Sequence, residues 1–174
     1  MKKNDIYFFE KQRFRQWWAW LILIGVNVLC IAGCILQIGL NRPFGDNPVS
    51  DAGLIIITVV LFIVTVVLLS CALQTYINEE GVFVRFFPFQ FRYKFYNWNT
   101  IRASYVRKYS PVCEYGGWGI RVGFNATKAY TMSGNIGLQL ILHNGKKVLI
   151  GTNHPDHLKR VLVKLDKMER MKDG

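Results

Sequence analysis

Two stretches, LILIGVNVLCIAGCILQIGL (residues 21–40) and LIIITVVLFIVTVVLLSCAL (residues 54–73), decide the architecture of this 174-residue chain. Each is twenty residues long and holds no Asp, Glu, Lys, Arg or His. A helix rises about 1.5 Å per residue, so each run matches the roughly 30 Å hydrocarbon layer of a bilayer. A soluble helix of that length carries a charged face, and neither run has one. The second run is rich in β-branched residues (Ile55, Ile56, Ile57, Thr58, Val59, Val60), which favour strands in water. Its length and lack of charge decide for a helix in lipid. Between the runs, Asn41-Arg42-Pro43-Phe44-Gly45-Asp46-Asn47-Pro48 has the composition of a turn. The reading is a membrane α-helical hairpin, with spans at 17–40 and 52–74 and an external linker at 41–51.

Charge orients the hairpin. The chain carries a net +11, of which residues 1–16 hold +3 and residues 75–174 hold +9, against −1 in the linker. Segments rich in Lys and Arg stay on the cytoplasmic side. Lys2, Lys3, Lys11, Arg13 and Arg15 precede the first span, and Arg85, Arg92 and Lys94 follow the second. Both chain ends are therefore expected in the cytoplasm. Ile6, Phe8, Phe9 and Phe14 add aromatic and apolar character to 1–16. Residues 9–20 are expected as an interfacial helix, with Trp17, Trp18, Trp20, Arg13 and Arg15 at headgroup level. Ile31-Ala32-Gly33-Cys34 matches a lipoprotein lipobox, but the apolar run continues through Ile35, Leu36, Ile38 and Leu40. Cys34 is therefore read as a span residue, not a lipidated terminus. Cys30 and Cys71 read as packing residues, and Cys113 as a free thiol in a reducing compartment.

After residue 74 the pattern shifts to a period of two. Strand-like stretches run over 75–78, 82–87, 91–96, 101–109, 119–123, 129–132, 137–142 and 146–151. In Phe91-Arg92-Tyr93-Lys94-Phe95 aromatic and basic residues alternate, which predicts aromatics on one face and cations on the other. Asn144-Gly145 predicts a two-residue hairpin. Pro155 and Asp156 suit the first turn of a helix, and Leu158, Val161, Leu162, Leu165 and Met168 share one of its faces. Residues 75–174 are expected as an α+β soluble domain, a small barrel or sandwich closed by one helix.

That order of elements resembles a pleckstrin-homology-like (PH-like) domain. Three local features agree: the turn Ile77-Asn78-Glu79-Glu80-Gly81-Val82, Trp98 just before the strand at Ile101, and Ile150-Gly151-Thr152-Asn153-His154-Pro155 before the last helix. With the hairpin, the chain looks like uncharacterised bacterial two-span membrane proteins with a C-terminal PH-like domain. The run Tyr115-Gly116-Gly117-Trp118-Gly119-Ile120-Arg121 looks like a signature of one subgroup. The resemblance implies a bent β-barrel of about seven antiparallel strands capped by a C-terminal helix. It also implies the bacterial cytoplasmic (inner) membrane, and it carries over no catalytic residue.

Signals of catalysis are sparse. Glu114 is the one acid among the central strands, and a lone carboxylate reads as a surface or salt-bridge residue. His143, His154 and His157 match no metal-ligand spacing. Gly116-Gly117-Trp118-Gly119 lacks the Lys-Ser/Thr of a phosphate loop. Its glycines read as turn or bulge geometry with Trp118 packed on the barrel, or as a loop exposing Tyr115 and Trp118. No cofactor, metal or nucleic-acid partner is expected. Arg85, Arg92, Lys94, Arg102, Arg107, Lys108 and Arg121 fall in or beside strands. With Tyr115 and Trp118 they are the candidates for lipid or partner binding, since a cation beside an anionic leaflet contributes about 1 kcal/mol. The alternative is that they solvate the outer face. The expected function is a cytoplasmic PH-like binding module on an integral membrane protein, docking to anionic lipid headgroups or a membrane-protein partner without catalysis. One alternative is a structural or regulatory subunit, or self-association, with Gly25, Ala32, Gly33 and Gly39 allowing close helix packing. Another is an enzyme in which Cys113, Glu114 and His143 converge.

Overall fold

The computed structural model describes residues 5–14, 16–123 and 127–168. The chain divides into two compact units, Arg15–Ser70 and Met1–Phe14 with Cys71–Gly174. Arg15, expected at the membrane interface, lies outside the described residues.

The first unit is the helical hairpin. Helix α1 (Trp17–Cys34) continues through a π turn at Ile35–Gly39, and α2 covers Asp51–Ser70. On α1 and the π turn the less exposed side chains include Leu23, Asn27, Cys30, Cys34 and Gln37; on α2 they include Leu54, Thr58, Leu61, Thr65 and Leu68. Both sets alternate steps of three and four, the spacing of a two-helix seam. The seam is polar. Asn27 Nδ2 donates to Thr65 Oγ1 at 2.9 Å, Cys34 Sγ meets Thr58 Oγ1 at 3.3 Å, and Gln37 Nε2 donates to Asp51 Oδ1 at 2.7 Å. Large apolar side chains such as Leu21, Ile24, Ile56 and Phe62 face outward. A Cβ on Gly33 would lie 2.9 Å from the ring of Phe44, so that glycine makes room for the linker rather than for a second helix. Gly25 and Gly39 face open space.

The second unit holds nine strands among the described residues. A four-stranded antiparallel sheet has the order β1-β2-β3-β4, from β1 (Phe8–Arg13), β2 (Ala72–Ile77), β3 (Gly81–Phe87) and β4 (Lys94–Asn97). A turn at Trp98, whose Nε1 donates to Asn78 O at 3.0 Å, carries the chain into a five-stranded sheet. Its order is β5-β8-β9-β7-β6, from β5 (Ile101–Lys108), β6 (Gly119–Val122), β7 (Lys128–Thr131), β8 (Ile136–Leu142) and β9 (Lys147–Gly151). A short helix α3 (Pro111–Tyr115) precedes β6, and α4 (Pro155–Lys164) follows β9. Phe8, Leu73, Ile77, Val82 and Val84 from the first sheet meet Tyr130, Leu138, Leu140 and Ile150 from the second and Leu158 and Leu162 from α4 in one core. The α4 face read from the sequence is the face that packs: Leu158, Val161 and Leu162 are buried, with Leu165 and Met168 against the same core.

The expected single barrel is instead two separate sheets, with no ladder joining β4 to β5. The strands are not all antiparallel. The segment α3-β6-β7, inserted between β5 and β8, lays β7 parallel to β9, with Ala129 opposite Leu149. Phe8–Arg13 is a strand, not part of an interfacial helix, and pairs with β2 from Phe8↔Ile77 to Arg13↔Ala72. The second helix ends at Ser70; Ala72 and Leu73, expected in the span, belong to β2, and Leu73 is fully buried. The physical reason is the partner strand. With β1 on one side and β3 on the other, β2 gains ladder bonds on both edges, which a helix ending at residue 74 would forgo.

Candidate functional site

Helix α3 builds a polar cleft on the second sheet. Ser110 caps it, its Oγ accepting from Cys113 N at 3.4 Å, and Pro111 occupies the first helical position. Glu114 Oε1 accepts from Ser110 N at 2.8 Å, so cap and carboxylate hold each other. At the other end Gly116 adopts φ +68°, a left-handed stop that favours glycine. The same carboxylate meets Arg107 of β5, Nη2 to Oε2 at 2.7 Å and Nη1 to Oε1 at 3.2 Å, a bidentate pair. Arg107 also donates to Gln139 Oε1 of β8 at 3.0 Å and to the Tyr115 hydroxyl at 3.1 Å. Arg107's hydrogen bonds, opposed by partial burial, hold the Glu114 carboxyl below the usual range. Burial works against the Arg107 charge, but Glu114 more than offsets it and raises the guanidinium. Burial also pushes the Tyr115 hydroxyl up, and the hydroxyl of Tyr109 beneath it up to about 12. Tyr105, Cys113, Thr127 and Lys147 complete the wall of a cleft of about 410 Å³. This arrangement can hold a small polar group by hydrogen bonds. It is a poor proton acceptor, because its carboxylate is already engaged three times. Cys113 and Glu114 line the cleft, whereas His143, in the β8–β9 hairpin, is not on its wall.

The nine candidate binding residues do not form one patch. Arg85 lies on the outer face of the first sheet, donating to Gln74 Oε1 at 2.7 Å and to Phe91 O at 3.2 Å. Arg92 is exposed in the β3–β4 connection. Lys94 stands opposite buried Val84, its Nζ 5.6 Å from the Tyr96 ring. Arg102 and Lys108 are exposed at opposite ends of β5, and Arg107 is committed to Glu114. Arg121 is exposed on β6, its Nε donating to Trp118 O at 3.3 Å. Tyr115 is buried, and Trp118 is half-buried with its Nε1 donating to Gly134 O at 3.2 Å. Trp17 and Trp18 are exposed at the start of α1, Trp20 is half-buried, and Arg13 is exposed at the end of β1.

Sequence reasoning missed the outer face of the first sheet. Phe9 stands opposite Tyr76, Tyr76 opposite Phe83, and Phe83 opposite Phe95, an aromatic row across four strands. Tyr76–Phe83 and Phe83–Phe95 stack at 4.3 Å. The spacing was visible, but the register that aligns it was not. Residues 91–93, expected in β4, lie in the connection before it, and within β4 Lys94 shares its face with Tyr96, so the expected split of cations and aromatics between two faces is not formed. Residues able to hold a metal are not grouped among the described residues. Against known proteins, no family model matches the sequence, and no curated protein does either.

Proposed function

We propose that the chain is an integral protein of the bacterial cytoplasmic membrane. In this reading α1 and α2 cross the bilayer, both chain ends lie in the cytoplasm, and the second unit is a PH-like binding module without catalysis. The module docks to anionic lipid headgroups. One observation carries the reading. The helical segments Trp17–Gly39 and Asp51–Ser70 are 23 and 20 residues long, yet only 11% and 6% of their most apolar stretches are buried. Their polar residues, Asn27, Cys34, Thr58 and Thr65, face each other instead. A soluble protein hides its apolar side, and an uncovered surface of this kind requires a cover. Lipid supplies it.

Orientation is supported by the basic excess on both flanks of the hairpin. The PH-like reading is supported by the succession of a four-stranded sheet, a second sheet and a terminal helix packed into their shared core. On that reading the hairpin is an excursion between the first two strands, and α3-β6-β7 an insertion between β5 and β8. A membrane-protein partner is the second reading, favoured by the scatter of the basic residues over both sheets.

The test uses the full chain. It should remain in the membrane pellet through an alkaline carbonate wash; release into the supernatant would overturn the membrane reading. In nanodiscs, the folded unit should melt higher with anionic than with zwitterionic lipid, and added salt should shrink the difference. Equal melting in both lipids would remove lipid docking and leave the protein partner.

A further inference from the structure

We infer that the connection between β3 and β4, residues 88–93, is a braced finger that inserts Phe89 and Phe91 into the headgroup layer of the bilayer. The inference rests on the membrane reading above and names the contact it would make. Phe89 and Phe91 are 66% and 74% exposed, unusual for phenylalanine in a folded unit with a well-filled core. They are nonetheless held in place. Arg85 Nη1 donates to Phe91 O at 3.2 Å, its Nη2 to Gln74 Oε1 at 2.7 Å, and its guanidinium lies 4.5 Å over the Tyr93 ring. The Tyr93 hydroxyl donates to the same Gln74 oxygen at 2.6 Å, and Gln90 N to Phe86 O at 2.8 Å. A connection tied to the sheet on both sides presents its apolar tips at little ordering cost.

Register gives the finger its direction. Arg13 stands opposite Ala72, and Ala72 opposite Phe87. The finger therefore leaves the sheet at the end where β1 runs on toward Trp17 and β2 arrives from Ser70. Of all the loops of the first sheet, it shares that end with the two connections to the apolar helices. Residues 85–94 contain Arg85, Arg92 and Lys94 and no acid, which suits an anionic leaflet. Exposed phenylalanines beside cations suit the headgroup boundary, where apolar side chains are buried and basic ones meet anionic lipid.

The experiment places an environment-sensitive fluorophore on the full chain in liposomes containing anionic lipid. Cys113→Ser removes the exposed native thiol, and the label is attached at Phe89→Cys, Phe91→Cys or, as a reference, Asn144→Cys. Asn144 lies beyond β8, whose Leu142 pairs with Ile101, at the sheet end opposite the finger. The expected result is a blue-shifted emission at positions 89 and 91, quenched by lipids spin-labelled near the headgroup, with neither effect at 144. Aqueous emission at 89 and 91 in a chain that floats with the liposomes would overturn the inference while leaving the membrane reading intact. Blue-shifted emission that lipid quenchers do not touch would also overturn it, by showing a protein occupant. A chain that fails to float would overturn the membrane reading and this inference together.

Discussion

Glu10 sits in a strand yet points inward, 4% exposed. Its carboxylate accepts from Thr152 Oγ1 at 2.6 Å and from Asn153 N at 2.7 Å, across more than 140 residues of sequence. Gln12, two residues on, donates to Gly151 O at 2.6 Å. These contacts fasten β1 to the connection that leads into α4. Removing the acceptor would strand two donors, so Glu10→Ala should cost about 2–3 kcal/mol, and Glu10→Gln about half of that. Thermal melts of the detergent-solubilised chain check this, with a fall of roughly 8–12 °C expected for the alanine. They also explain why β1 was illegible. The inward face of Phe8-Phe9-Glu10-Lys11-Gln12-Arg13 is Phe8, Glu10 and Gln12, which reads as polar until its distant partners are known. Glu114 is the second residue with a measurable signature. Its carboxyl is held low by Arg107, so the stability it adds is present above the ordinary glutamate value of about 4.3 and lost as pH falls through the lower native value. Partial exposure screens the pair to about 0.5–1 kcal/mol. Glu114→Gln should therefore melt lower than the parent at pH 7, and the gap should close on acidification toward pH 3.

At the scale of elements, the two apolar runs were the clearest signal, because twenty residues without charge admit few other readings. Their seam was also written there, in Asn27 and Cys34 seven apart on one helix and Thr58 and Thr65 seven apart on the other. Gly25 and Gly39, open to the outside, are not part of it. A double-mutant cycle on Asn27→Ala and Thr65→Ala should give a coupling of about 0.6–1 kcal/mol, measured by unfolding in mixed detergent. Apart from residues 91–93, strand positions from Gly81 onward lie close to those read from the period-two pattern. What that pattern lacked was register. No residue of the linear sequence says that Arg107 will face Glu114 while Arg85 turns to Gln74 on the other sheet. Hence the basic residues could be named but not gathered.

At the scale of the molecule, the ladder Arg13↔Ala72 makes β1 part of the same unit as residues 71–174. A fragment beginning at Thr75 lacks both β1 and the start of β2, including core residues Phe8 and Leu73. It should fail to fold, giving collapsed amide dispersion in a two-dimensional NMR spectrum. Because β1 and β2 are antiparallel neighbours, a two-residue Asn-Gly turn in place of residues 14–71 should instead yield a soluble, well-dispersed unit. The same ladder has a consequence during synthesis. Phe8–Arg13 leaves the ribosome before either apolar helix, yet the strand it must pair with is made only after both. For the intervening residues β1 has no edge to join. If α1 and α2 cross a bilayer as proposed, the unit could close only after the second helix had been threaded and both of its flanks had come to the same compartment. On that reading sheet formation would act as a check on insertion, because a chain with one helix left uncrossed would keep β1 and β2 apart.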